Sequence, residues 1–408
     1  MTTHIRTLPL ERVSHLRDAP IRRFLMNTLV VLMIVGFGLG GELALIRITS
    51  NLSLQSVWTI TILVLLAAIV ATSWTALHRK SRLISVLAFA GIAVAAIQVV
   101  VLQPKPSYAG YVLSGAAFLL AVALGLSGAA TVSQLRYLYW SAVVVSFSGL
   151  FLIPAGIAGD HRILEMTTAF AAIVIVARLE LIPASTAHKI IGVTGIATAS
   201  MISYLDAARA AGLTLTLVGL AFLAFGRSTT PWLRFGLVGF QVAAVAITFG
   251  LLRTTERWFG GDQGVSFGSV PVNTNGRVDM WSAVLNRVHD AWMVTDLLGS
   301  GVGTSSNISM EVNNLPAPLS EFVRLYADFG IIGVLVIFAV LAWLVWNGLR
   351  LMIEPVSRRR GVIVLLVAGG YLLFSFSESM VAYSWVLVPT GLMAAGLTRR
   401  CPSIGASP

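Results

Sequence analysis

Apolar runs of membrane-crossing length follow one another along almost the whole of this chain. They fall at about 24–46, 57–77, 83–103, 111–131, 137–158, 163–182, 188–204, 210–226 and 231–251, then at about 329–353, 361–377 and 380–397. A helix of about 20 residues crosses a hydrocarbon core of about 30 Å and satisfies its own backbone hydrogen bonds. The spacing therefore predicts an all-α integral membrane protein with about twelve transmembrane helices. Composition agrees: 57% of the 408 residues are hydrophobic and 11% charged, more apolar surface than a water-facing fold of this length could hide. The single cysteine, Cys401, excludes an intramolecular disulfide and a cysteine metal cluster.

The net charge of +11 does not point to nucleic acid, because basic residues of membrane proteins collect at cytoplasmic helix ends. With the N-terminus placed inside, the inner segments hold eighteen Lys and Arg, among them Arg22, Arg23, Arg79, Arg227 and Arg358 to Arg360. The short outer loops hold four, Arg47, Lys105, Arg162 and Arg209. This bias puts both termini in the cytoplasm and makes the first apolar run an uncleaved span. The reading divides the chain into an N-terminal segment 1–23, nine spans within 24–251, a large extracytoplasmic loop 252–328, three spans within 329–397 and a tail 398–408.

The large loop carries eight of the seventeen acidic residues. Trp281, Leu285, Val288 and Trp292 stand at helical spacing, which predicts an amphipathic helix at the membrane surface, so the loop is expected to be partly helical. Around it lie Asn275-Gly276-Arg277, the glycine run Leu298-Gly299-Ser300-Gly301-Val302-Gly303, then Pro318-Leu319-Ser320-Glu321-Phe322-Val323-Arg324, and Phe329-Gly330-Ile331-Ile332-Gly333 at the next span. Further back, Ser203 to Gly212 ends in Ala208-Arg209-Ala210-Ala211-Gly212 at an outer junction.

In order and spacing these segments resemble the O-antigen ligase/polymerase family of bacterial membrane glycosyltransferases. That family carries a Gly-Arg followed by a Trp, a glycine-rich turn, and a Gly-Ile/Leu-Ile/Leu-Gly motif where a span begins. By motif the resemblance covers roughly residues 200 to 350. It implies transfer of an undecaprenyl-diphosphate-linked glycan to an acceptor glycan or lipid-linked sugar. The transfer takes place at the outer face of the bacterial cytoplasmic membrane, without metal, nucleotide sugar or other cofactor. Arg209, Arg277 and Arg324 would hold the diphosphate, since guanidinium donates paired hydrogen bonds to phosphate and keeps its charge in any surroundings. Where ligases carry a His-Asn pair this chain has Leu319 and Ser320. The base that deprotonates the acceptor would then be Glu321, with His289 and Asp328 as alternatives.

Plainer roles exist for the same residues. Arg209 and Arg324 would serve as interfacial anchors, Arg277 as the partner of a loop carboxylate, the glycine run as a tight turn, and Gly330 and Gly333 as helix-packing positions. Glu42, Glu165, Arg178 and Glu180, all near span ends, are expected to snorkel to water. The competing class is a multi-span transporter or flippase for lipid-linked sugars, against which stands the lack of an internal repeat. A structural or assembly protein is the third class.

Overall fold

The computed structural model describes residues 20–39, 47–49, 52–102, 109–128, 135–152, 161–206, 208–250, 264–267, 270–273, 277–289, 293–314, 318–378 and 383–399. Glu42, Lys105, Asn275, Gly276, Trp292 and Cys401 lie outside the described residues, as do the two terminal segments for all but a few positions.

The described chain is almost entirely helical. Its helices are α1 (Pro20–Leu39), α2 (Leu54–Thr72), α3 (Arg79–Leu102), α4 (Ala109–Ser127), α5 (Leu135–Leu152), α6 (His161–Leu181), α7 (Thr186–Leu205), α8 (Arg209–Phe225) and α9 (Pro231–Gly250). Then come α10 (Arg277–His289), α11 (Met293–Leu298), α12 (Thr304–Asn313), α13 (Glu321–Ile353), α14 (Arg358–Ser377) and α15 (Ser384–Leu397). Two short antiparallel pairs complete it, β1 (Arg47–Thr49) with β2 (Leu52–Ser53) and β3 (Gly264–Phe267) with β4 (Val270–Asn273). Among the described residues, seven helices are long and apolar enough to cross a membrane: α1, α2, α4, α5, α9, α13 and α14. Two more, α8 and α15, are apolar but shorter.

Local sequence marks where helices begin. The Ser53 hydroxyl accepts from the Ser56 amide at 3.2 Å to cap α2, and Ser185 does the same for His188 at the start of α7. Pro231 opens α9, where its missing N–H costs nothing. The most buried helices are α4, α6, α14 and α15, around which the others pack. Close approach comes from small residues: a side chain on Gly125 of α4 would lie 2.5 Å from the Leu392 carbonyl of α15. The outward faces of α5, α9 and α13 expose Val144, Val242 and Leu335, an apolar surface suited to lipid.

The helices of this bundle run between two faces, which side-chain contacts identify. On one, Arg22 donates to the Thr72 carbonyl at 2.7 Å, joining the start of α1 to the end of α2. On the same side Arg359 donates to the Glu180 carbonyl at 3.2 Å and Arg360 to the Leu397 carbonyl at 2.5 Å, so α6 and α15 end where α14 begins. The Thr59 and Ser384 hydroxyls, 2.8 Å apart, join the starts of α2 and α15 toward the other side. The start of α1 and the end of α15 thus share the arginine-rich face.

The charges expected to snorkel at span ends do not. Glu165, Arg178 and Glu180 are buried. Glu180 accepts from the backbone amides of Arg227 at 3.0 Å and Ser228 at 3.2 Å, with Arg359 3.8 Å away. Arg178 turns to the carbonyls of Ile182 at 2.8 Å and Pro183 at 3.3 Å. A charge near a helix end can reach neighbouring chain connections as readily as water, and hydrogen bonds to the charged form make burial tolerable.

The opposite face carries a cap of α10, α11, α12 and the first turns of α13. Its small apolar core consists of Val284, Val288, Ile308, Val323 and Ala327, flanked by Trp281 and Tyr326. The stripe that α10 buries is Met280, Val284 and Val288, one position off the expected line through Trp281 and Leu285. It faces α12 and α13 rather than lipid alone, because those helices supply the apolar partners.

Candidate functional site

The geometry of this face turns on Gly330. Its backbone, at φ 66° and ψ −162°, breaks the helical path inside α13. Phe322 and Phe338 lie eight residues to either side and would stand about 24 Å apart along a straight helix. Their rings stack with centroids 5.1 Å apart. The bend is therefore sharp, and the arm from Glu321 to Phe329 folds across the end of the bundle instead of continuing the span. Phe322 also meets Phe376 of α14 at 4.9 Å, which fixes the arm over that helix.

The broken helix leaves carbonyls for another segment. Ser300 donates from its amide to the Ala327 carbonyl at 2.9 Å and Gly301 to that of Asp328 at 3.2 Å. Gly299, at φ 78°, fits so closely that a side chain there would lie 2.3 Å from the Phe329 nitrogen. The glycine run and the Phe-Gly-Ile-Ile-Gly segment are two halves of one joint. The tight-turn role holds for the run, whose amides here face helix carbonyls.

Asp328 is also structural. Gly303 starts α12 without a side chain to cap it, and the buried Asp328 carboxylate accepts from the Ser305 amide at 2.9 Å in its place. Trp281 of α10 donates from its indole to the Pro318 carbonyl at 2.7 Å, which anchors the turn before α13. Within that turn Leu319 takes φ 51°, a left-handed conformation that costs a branched residue about 1–2 kcal/mol.

This turn and bend deliver Glu321 and Arg324 to one buried place, each 1% exposed. Nη1 of Arg324 stands 3.7 Å from Oε2 of Glu321, an ion pair longer than a hydrogen bond. The guanidinium carbon lies over the ring of Tyr111 at the start of α4, 3.7 Å from its centroid. Nε and Nη1 of Arg324 make no hydrogen bond among the described residues. A buried guanidinium of this kind keeps unspent capacity for an anion. Arg324 does not snorkel.

Arg277 sits on the same face, where its Nη1 donates to the Ser377 carbonyl at 3.0 Å and its Nη2 lies 3.9 Å from Glu378. It caps the C-terminal end of α14, where a cation is favoured, and has the carboxylate partner of the plainer reading. Arg209 opens α8, which runs along α14. Leu217 of α8 stands beside Gly369, which sets Arg209 level with the end of α14. The three arginines therefore share one face. Arg277 reaches the end of α14, while Arg324 sits under the bent arm of α13.

His289 is apart from them. Its side chain is 75% exposed and stands 3.3 Å from Asp296, which also accepts from the Tyr326 hydroxyl at 2.6 Å. The Tyr326 hydrogen bond, and then His289, hold the Asp296 carboxyl below the usual carboxylate range. Among the described residues no three His, Cys, Asp or Glu side chains gather as metal ligands.

Sequence reading missed Tyr111 and Glu378. Nothing near Tyr111 in sequence marks it, since its partner is 213 positions away, and Glu378 reads as an ordinary helix-end carboxylate. No family model matches this chain, and no curated protein matches it.

Proposed function

We propose that this chain is a membrane glycosyltransferase. It would move a polyprenyl-diphosphate-linked oligosaccharide to an acceptor glycan or lipid-linked sugar on the outer face of a bacterial cytoplasmic membrane. In this reading α1 to α9 and α13 to α15 are the twelve spans, and the arginine-rich face is cytoplasmic, as the charge bias demands. The observation that carries the reading is Arg324: a fully buried guanidinium at the cap face, with two nitrogens that make no hydrogen bond among the described residues, beside an equally buried carboxylate. A fixed cation next to a carboxylate is what glycosyl transfer from a diphosphate needs.

The acceptor hydroxyl oxygen attacks the anomeric carbon and forms the new glycosidic bond. Its proton passes to the Glu321 carboxylate. The bond between the anomeric carbon and the diphosphate oxygen breaks, and its electron pair leaves on that oxygen. Arg324 stabilises the charge that develops there, with Arg277 and Arg209 adding positive potential on the same face. Solvent is kept out by the bent arm of α13, which strengthens each of these interactions.

The test is the surface glycan of a deletion strain complemented with variants, run as a gel ladder with carrier lipid extracted separately. Single repeat units in place of long chains identify a polymerase; full-length polymer stranded on the carrier identifies a ligase. Arg324→Ala and Glu321→Gln, at normal protein level, each reproduce the deletion. An unchanged ladder with no carrier-linked build-up defeats both for that glycan and moves a transporter of lipid-linked sugars to the front.

A further inference from the structure

Among the described residues Tyr111 and Glu321 lie against the Arg324 guanidinium, and the buried Asp328 carboxyl also acts on its charge. Tyr111 lies against the central carbon of the guanidinium, with Cζ 3.7 Å from the ring centroid. Hydrogen bonds leave a guanidinium only in its plane, along the edge. Glu321 stands at that edge, 3.7 Å from Nη1, close enough to neutralise the charge but beyond hydrogen-bond reach. A ligand anion that took a hydrogen bond from Nη1 would need the place Glu321 holds.

We infer that Glu321 is an exchangeable counter-ion: the phosphate of a diphosphate ligand displaces it from Arg324, and the displaced carboxylate turns toward the acceptor side. The inference rests on the proposed function and adds a coupling to it, in which diphosphate binding frees the base. A carboxylate and a phosphate oxygen carry like charge, so both cannot share one guanidinium edge without repulsion. The exchange is favourable in direction, since a phosphate oxygen at Nη1 makes the hydrogen bond that Glu321, at 3.7 Å, does not. The Leu319 turn and the Gly330 bend fix the backbone on either side, so the movement is confined to the Glu321 side chain.

The experiment is calorimetric titration of the full chain in detergent with inorganic pyrophosphate. The expected result is binding that Arg324→Ala abolishes and that Glu321→Gln tightens about tenfold, the size of one lost charge-assisted competitor. Glu321→Asp keeps the charge but withdraws it by one methylene. It tightens binding about threefold and carries the same test if the glutamine variant does not fold.

Binding abolished by Arg324→Ala but unchanged or weakened in both Glu321 variants overturns the exchange and leaves the anion site standing. No binding, or binding indifferent to Arg324, overturns the site itself. A polyprenyl diphosphate in the same detergent distinguishes the source of the diphosphate. Competition at about tenfold lower concentration than pyrophosphate marks a lipid-linked ligand, whose apolar tail adds affinity. Equal competition marks a soluble one, which defeats the glycosyltransferase reading without touching the exchange.

Discussion

Replacing Gly330 by alanine separates two opposite expectations. On helix propensity alone the change should stabilise the protein by about 1 kcal/mol, because glycine is the poorest helix former apart from proline. The structure reverses the sign. At φ 66° and ψ −162° the residue occupies a region nearly confined to glycine, which costs other residues about 1–3 kcal/mol. The new Cβ would lie 2.4 Å from the carbonyl carbon and oxygen of Leu297 and 2.6 Å from the Gly299 nitrogen. These are backbone atoms, with no rotamer to swing aside, and overpacking of this kind adds about 1–3 kcal/mol. The net effect is about 3 kcal/mol of destabilisation. It should be read as the loss of folded, monodisperse protein in a denaturant titration in detergent, and as faster proteolysis within residues 293–314. Gly236→Ala and Gly239→Ala in α9 are the controls. Neither would meet an atom within 4 Å, so each should be neutral or stabilising by about 0.5–1 kcal/mol. A Gly330→Ala protein as stable as either control would refute the bend.

Asp328→Ala removes the cap that α13 supplies to α12, and should lower stability by about 1–2 kcal/mol, with Asp328→Asn losing less, in the same denaturant titration. For Asp296, whose carboxyl is held below its ordinary 3.8, the sign is that of a depressed acid. Its stabilisation is present above that value and is lost as pH falls through the lower folded-state value. Tyr326→Phe should therefore destabilise the cap at neutral pH and match wild type in strong acid, and a stability gap independent of pH would contradict the assignment. Glu180→Ala leaves the amides of Arg227 and Ser228 without their acceptor and Arg359 without its carboxylate partner, and should cost about 3 kcal/mol, seen as lowered membrane level and detergent stability. A wild-type level would show that the carboxylate is dispensable there.

The bundle was legible because bilayer thickness writes itself into sequence as runs of fixed length. The break near residue 329 fell within two residues of Gly330, since apolar composition resumes just where the bent helix enters the bundle. The cap was harder. Its stripe was read through Trp281, Leu285, Val288 and Trp292; Val288 is buried as expected, but its buried companions on α10 are Met280 and Val284. Trp281 attracts attention by size, but its indole N–H is committed to the Pro318 carbonyl. Of the site residues, Glu321 and Arg324 were visible as a close pair near a span start. What sequence could not convey was that both are buried together, because burial depends on a bend and on Tyr111 from the other half of the chain. Glu180 went wrong for a related reason. A lone carboxylate at a span end looks as though it must reach water, and its partners are 47 and 179 positions further on.

Those two separations have a consequence for how the chain is assembled. Glu180 emerges from synthesis long before either partner. The amides of Arg227 and Ser228 arrive first, when α8 has been made, and they can already donate to the carboxylate. Arg359 is delivered only after the cap and α13 have been translated. The clasp at the arginine-rich face thus closes in two stages, and the second requires that the C-terminal third of the chain has been threaded correctly. A chain truncated before α14 would keep the first half of the clasp and lack the second, leaving the buried carboxylate without its cation.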